Sequence, residues 1–323
     1  MNVSFYRYCA RAFPAERVTF FAMKILEKSR TVVSVVLAIV ALTACYSSDA
    51  AARLYPEYGY LQLNTQYSHR AYAVPDLHVS HAPVPSQGTL VFVHGGAWMS
   101  GTADLVNLPE SLAVLSHSGW DIVSVTYRLA PKTDVAGMVS DVRSSIRYVR
   151  THAQQLGVNA STVILAGHSS GAHLAALAAF DKPILLERPD GVILLAAPVD
   201  MSVFAADQNL IYGYSKSAIV NHALGCGYEG PRDVLRCSRS ALEKASPLYA
   251  VDKNAPPTYL AYGALDEVVP LAQGEALYAT LVAKIGPDRT WLDVARRSGH
   301  AVEGANQGYI ELFASLVANG SIQ

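Results

Sequence analysis

Neither sign of charge dominates this chain: 25 Lys and Arg stand against 26 Asp and Glu, a formal net charge of −1. A nucleic-acid partner calls for a basic excess or a basic run, and both are missing. The apolar stretch from Thr31 to Thr43 falls short of the roughly 20 residues that cross a bilayer. His, Cys and Asp do not cluster at ligand spacing, so neither a metal nor another cofactor is implied. Repeats and low-complexity linkers are absent from residues 46–323, which leaves nothing to divide that span. Cysteine is scarce, four in 323 residues. What the chain does have is apolar residues, 51% of the total, ample for one large core.

The short Thr31–Thr43 stretch follows Lys24, Lys28 and Arg30, the order of a secretory signal peptide. Residues 1–44 are therefore expected to be a signal region. Met23 opens a more typical signal, Met23-Lys24-Ile25-Leu26-Glu27-Lys28-Ser29-Arg30, so translation is expected to begin there. Leu42-Thr43-Ala44-Cys45 resembles the lipobox of bacterial lipoprotein precursors, whose cysteine is lipidated and becomes the mature N-terminus. The resemblance implies an exported protein tethered to a membrane of the bacterial envelope through Cys45. An ordinary signal peptide with an incidental cysteine is the alternative. Cys9 precedes the signal, which leaves Cys226 and Cys237. In an oxidising compartment they form either a disulfide, worth about 3 kcal/mol through chain entropy, or two free buried thiols.

Residues 45–74 read as a tether and N-terminal segment, and 75–323 as the main domain. N-terminal strands before residue 86 are expected to cover one sheet edge. From Thr89 onward strands and helices alternate. Strands are predicted at 89–93, 122–127, 162–166, 191–196, 258–262 and 290–294. Helices are predicted at 105–116, 135–156, 172–180, 271–285 and 304–317. Such alternation builds an α/β fold, a mostly parallel sheet with helices on both faces, whose active sites lie at the carboxyl ends of the strands. Residues 198–247 interrupt the rhythm, polar and rich in Gly and Tyr, and read as a cap over those ends or as a decorative loop.

Gly167-His168-Ser169-Ser170-Gly171 sits between the apolar, β-branched run 162–166 and the Ala/Leu-rich run 172–180. A strand reversing straight into a helix crowds its backbone, so glycines flank the central serine, as in the nucleophile elbow of α/β-hydrolases. Serine alone is a weak nucleophile and needs a base held by a carboxylate. In the elbow's chain order the carboxylate comes next and the histidine last. Asp266 follows one predicted strand and His300, within Gly299-His300, follows the last. Asp200, which also follows a strand, is the rival acid; Glu267 is expected to face away. His168 and His173, on the elbow and its helix, are expected to be structural. His94-Gly95-Gly96-Ala97-Trp98 follows the strand at 89–93. Its glycines let backbone approach a substrate, and the N–H groups of Gly96, Ala97 and Ser170 are the expected oxyanion donors, each worth about 3 kcal/mol in the transition state. Trp98 is either a wall of the substrate pocket or a packing residue.

Together with Tyr127-Arg128-Leu129-Ala130-Pro131, these motifs resemble α/β-hydrolase carboxylesterases from about Pro75 to the C-terminus. The similarity is to hormone-sensitive-lipase-like enzymes, to bacterial feruloyl and acetyl-xylan esterases, and to kynurenine formamidase. It implies hydrolysis of small-molecule esters with small to medium acyl groups through an acyl-enzyme on Ser169, with Asp266 and His300 completing the triad. Ala97 stands where the lipase-like group usually has a third glycine, and Thr126 where it commonly has Asp. Both departures favour the other two groups. An arylformamidase-type amide hydrolase and a non-catalytic binding protein of the same fold are the alternatives.

Overall fold

Alternate residues of a strand face opposite ways, so a strand apolar at every position must be covered on both sides. The central strands are of that kind. In β3 (Gly88–Val93), β5 (Val163–His168), β6 (Gly191–Leu195) and β9 (Thr258–Gly263), nearly every side chain is buried. Val91, Val93, Val163, Leu165, Val192 and Leu194 join one core, against helices Val135–Thr151, Ser170–Phe180 and Leu271–Ile285. Leu90, Phe92, Ile164, Ile193 and Tyr259 join the other, against helices Glu110–His117 and Gln307–Ala318.

In this computed structural model the described residues are 61–63, 77–83 and 85–322. The expected signal region 1–44, the Met23 start, Cys45 and most of the 45–74 segment lie outside them. Gly59–Gln323 form one compact unit. Among the described residues its sheet has eight strands in the order β1-β2-β4-β3-β5-β6-β9-β10, where β1 is Leu61–Leu63, β2 Leu77–Ser80, β4 Trp120–Val125 and β10 Thr290–Ala295. From β4 to β10 every pairing is parallel. β1 and β2 add antiparallel to the β4 edge, the cover expected from the N-terminal segment. This is an α/β-hydrolase arrangement.

Several predicted boundaries move, helix 304–317 among them, which starts at Gln307 with the Asn306 side chain capping it. Strand 122–127 lies two residues earlier, because Trp120 pairs with Gly88 and Val125 with Val93 at the strand's end. Helix 105–116 is broken at Pro109, which lacks an N–H: a 3-10 turn, Leu105–Asn107, precedes helix Glu110–His117. Helix 135–156 divides at His152, whose φ of −120° leaves the helical region, into Val135–Thr151 and Ala153–Leu156.

The 198–247 stretch is structured. It holds helix Met201–Ala206, a small hairpin of β7 (Leu210–Ile211) and β8 (Tyr214–Ser215), and helices Lys216–Leu224 and Arg239–Lys244. Cys226 and Cys237 form a disulfide within it.

Candidate active site

At the carboxyl end of β5 the chain turns directly into helix Ser170–Phe180, and Ser169 takes φ 54° and ψ −123° at the turn. A side chain on either flanking glycine would collide with backbone. A Cβ on Gly167 would lie 2.5 Å from Gly171 C, and one on Gly171 would lie 2.1 Å from Val93 O. The serine is thus forced into a conformation that non-glycine residues rarely adopt. Its hydroxyl does not cap the helix. Instead Ser169 Oγ is 2.9 Å from His300 Nε2.

His300 Nδ1 lies 2.8 Å from Asp266 Oδ2. A carboxylate only accepts, so Nδ1 carries the proton and Nε2 is left to accept from the serine hydroxyl. Asp266 is fixed in turn, because its Oδ1 accepts from the backbone N–H of Val268 at 2.8 Å and of Val269 at 2.9 Å. Asp266 follows β9 and His300 follows β10, and the parallel pairing of these strands brings both loops to one sheet edge.

The rival acid does other work. Asp200 Oδ1 accepts from the N–H groups of Ser202 and Val203 and from the Ser202 hydroxyl, capping helix Met201–Ala206. Its Oδ2 takes the Tyr249 hydroxyl at 3.1 Å.

The loop after β3 packs on the elbow: a Cβ on Gly95 would sit 3.3 Å from Ser169 Cβ. Gly96, Ala97 and Trp98 have φ of 127°, 53° and 61°, and a Cβ on Gly96 would meet Ser100 O at 2.1 Å. Among the described residues, none accepts a hydrogen bond from the backbone N–H of Gly96, Ala97 or Ser170. Ser170 is the first residue of its helix, where an N–H has no intrahelical acceptor. Free donors beside a serine oxygen can receive an oxyanion.

Several side chains brace these loops. The buried His94 ring stacks on Tyr127 with centroids 4.5 Å apart, and its Nδ1–H donates to Gly95 O at 2.7 Å. Burial holds its pKa below the usual value. Tyr127 donates to His94 O at 3.2 Å and meets Ser170 Oγ at 3.3 Å. His168 Nε2 donates to the carbonyl of His300 at 2.8 Å, and burial lowers its pKa to about 4. His173 is wholly buried: Trp98 Nε1–H donates to its Nδ1 at 3.2 Å while its Nε2–H donates to Ala245 O at 2.7 Å. Trp98, 1% exposed, packs against His173 and Phe204, so its influence on a pocket runs through the residues seated on it. Tyr127 and His168 gave no sequence signal of these contacts beyond their places in two motifs.

The BD-FAE family profile matches residues 76–281, more than half of the chain. The chain belongs to the BD-FAE family. The matched span contains the elbow, the Gly95–Trp98 loop and Asp266, while His300 lies beyond it. This BD-FAE chain is 28% identical to Esterase LipC of Mycobacterium tuberculosis over 250 residues, covering 72% of the chain and 57% of LipC. It spans about half the length of the curated relatives it matches. A truncated carbohydrate esterase from gut microbiota superposes with a TM-score of 0.66 at 20% identity, covering 81% of this chain and 97% of that one. Esterase LipW from Mycobacterium marinum does so with a TM-score of 0.64 at 19% identity, covering 91% and 92%. These likenesses establish the α/β-hydrolase fold.

Proposed function

We propose that the protein is a serine carboxylesterase acting on small-molecule esters of small to medium acyl groups. One observation carries the reading: His300 lies within hydrogen-bond reach of both Ser169, at 2.9 Å, and Asp266, at 2.8 Å. The esterase name of LipC supports the reaction class. In the proposed cycle Ser169 Oγ attacks the ester carbonyl carbon as its proton passes to His300 Nε2. Asp266 stabilises the imidazolium, and the N–H groups of Gly96, Ala97 and Ser170 receive the oxyanion. His300 then gives its proton to the departing alcohol, leaving the acyl group on Ser169. Water, deprotonated by His300, attacks that acyl carbon; the carboxylic acid leaves and Ser169 regains its proton. Trp98 supports the donor loop from behind.

The test is hydrolysis of p-nitrophenyl acetate by the Ser169→Ala variant. A kcat reduced by at least about 10⁴-fold is expected, and ordinary turnover would reject the mechanism.

We further infer that the protein is exported and lipid-anchored through Cys45. The basic flank before an apolar stretch and the Leu42-Thr43-Ala44-Cys45 sequence support this. The Cys226–Cys237 disulfide fits an oxidising compartment.

A further inference from the structure

Lys216 opens helix Lys216–Leu224 in the insertion and is wholly buried, 0% exposed. Burying an ammonium group is costly unless partners surround it. Its Nζ lies 2.6 Å from Asp207 Oδ2 and donates to the carbonyl of Glu267 at 3.3 Å, with the Phe204 ring centroid 5.2 Å away. Glu267 follows Asp266, and its carbonyl also accepts from Asn209 Nδ2 at 3.1 Å. The next two residues, Val268 and Val269, donate their N–H groups to the Asp266 carboxylate. Two side chains of the insertion therefore hold the middle of the loop that wraps the carboxylate. On its other side the insertion meets the donor loop, where Phe204 packs edge-on against Trp98 with centroids 6.0 Å apart.

We propose that Lys216 is a positioning residue: paired with Asp207, it ties the insertion to the Asp266 loop and so sets the carboxylate against His300. The insertion then works as a clamp joining the acid loop and the oxyanion loop through one buried cation. The proposal rests on the Ser169 reading for its kinetic consequence, though the geometry it describes does not depend on turnover.

Lys216→Met keeps the side chain's length and removes its charge. The Lys216→Met/Asp207→Asn pair also removes the partner charge, which guards against failure to fold. With folding confirmed by a thermal melt, both variants are expected to lose about 10- to 100-fold in kcat on p-nitrophenyl acetate, with KM within about twofold. The His300 Nδ1–H proton resonance in NMR is expected to shift, and Lys216→Arg to restore part of both. A general loss of stability would produce neither the kcat-only effect nor the rescue. Folded variants with wild-type kcat and an unmoved resonance would overturn the proposal. Fluorophosphonate labelling separates the two readings. Labelling of wild-type Ser169 with an unmoved resonance sinks the clamp and leaves the esterase reading intact. A shifted resonance with no labelling of Ser169 upholds the clamp and sinks the esterase reading.

Discussion

At the scale of single residues, the arrangement assigns distinct work to four histidines. Among these four, His300 is the one that joins a serine to a carboxylate. Asp266→Asn would present an amide to Nδ1, which favours the wrong imidazole tautomer, so kcat at neutral pH is expected to fall by about 10⁴-fold with little change in fold. Steady-state kinetics and circular dichroism check both halves of that statement. His173 makes a different prediction. Burial lowers its pKa from 6.5 to about 4 in the folded protein. Between those values the unfolded chain takes up a proton that the folded chain refuses. Stability from this residue is therefore complete above about pH 6.5, declines as pH falls toward 4, and levels off below; the full span is worth about 3 kcal/mol. Urea midpoints across that range should fall more steeply for wild type than for His173→Gln, which cannot titrate. Equal slopes would show that His173 is not held neutral by the fold.

At the scale of elements, the elbow is governed by contacts closer than a methyl group allows. Gly171→Ala would place a Cβ 2.1 Å from Val93 O and 2.3 Å from His94 O, both backbone atoms that cannot step aside. A loss of at least about 3 kcal/mol in urea unfolding, or no folded protein, is expected; a stability near wild type would contradict the close approach. The disulfide closes a loop of sequence separation 11, so Cys226→Ser/Cys237→Ser is expected to cost about 3 kcal/mol by the same measurement. The elbow, the donor loop and the strand–helix alternation were legible because each rests on local rules: glycine at a crowded turn, apolar runs for doubly covered strands. Asp266 and His300 were legible from chain order and from their places after strands. Lys216 was not, since its meaning depends on a carbonyl 51 residues away. Tyr127 and His168 likewise brace backbone atoms brought near only by folding. The shifted boundaries have local causes, Pro109 among them, that periodicity passes over.

At the scale of the whole molecule, the sheet brings four loops, after β3, β5, β9 and β10, to one edge, and the insertion after β6 touches two of them. The small-acyl proposal calls for a preference for short chains. Initial rates from acetate to decanoate p-nitrophenyl esters are expected to peak at acetate or butyrate, and a decanoate optimum would refute the small-acyl proposal. Attachment is a separate matter: cells fed labelled palmitate should incorporate it into the full chain and not into Cys45→Ser. The central claim is that the ester's acyl group passes through Ser169. It is tested most directly by mixing wild-type protein with p-nitrophenyl acetate, quenching in acid within the first turnovers, and mapping the product by peptide mass spectrometry. The account predicts one acetyl group, on the peptide containing Ser169 and absent from Ser169→Ala. Acetyl found on another residue, with Ser169→Ala still hydrolysing the ester at the wild-type rate, would contradict it.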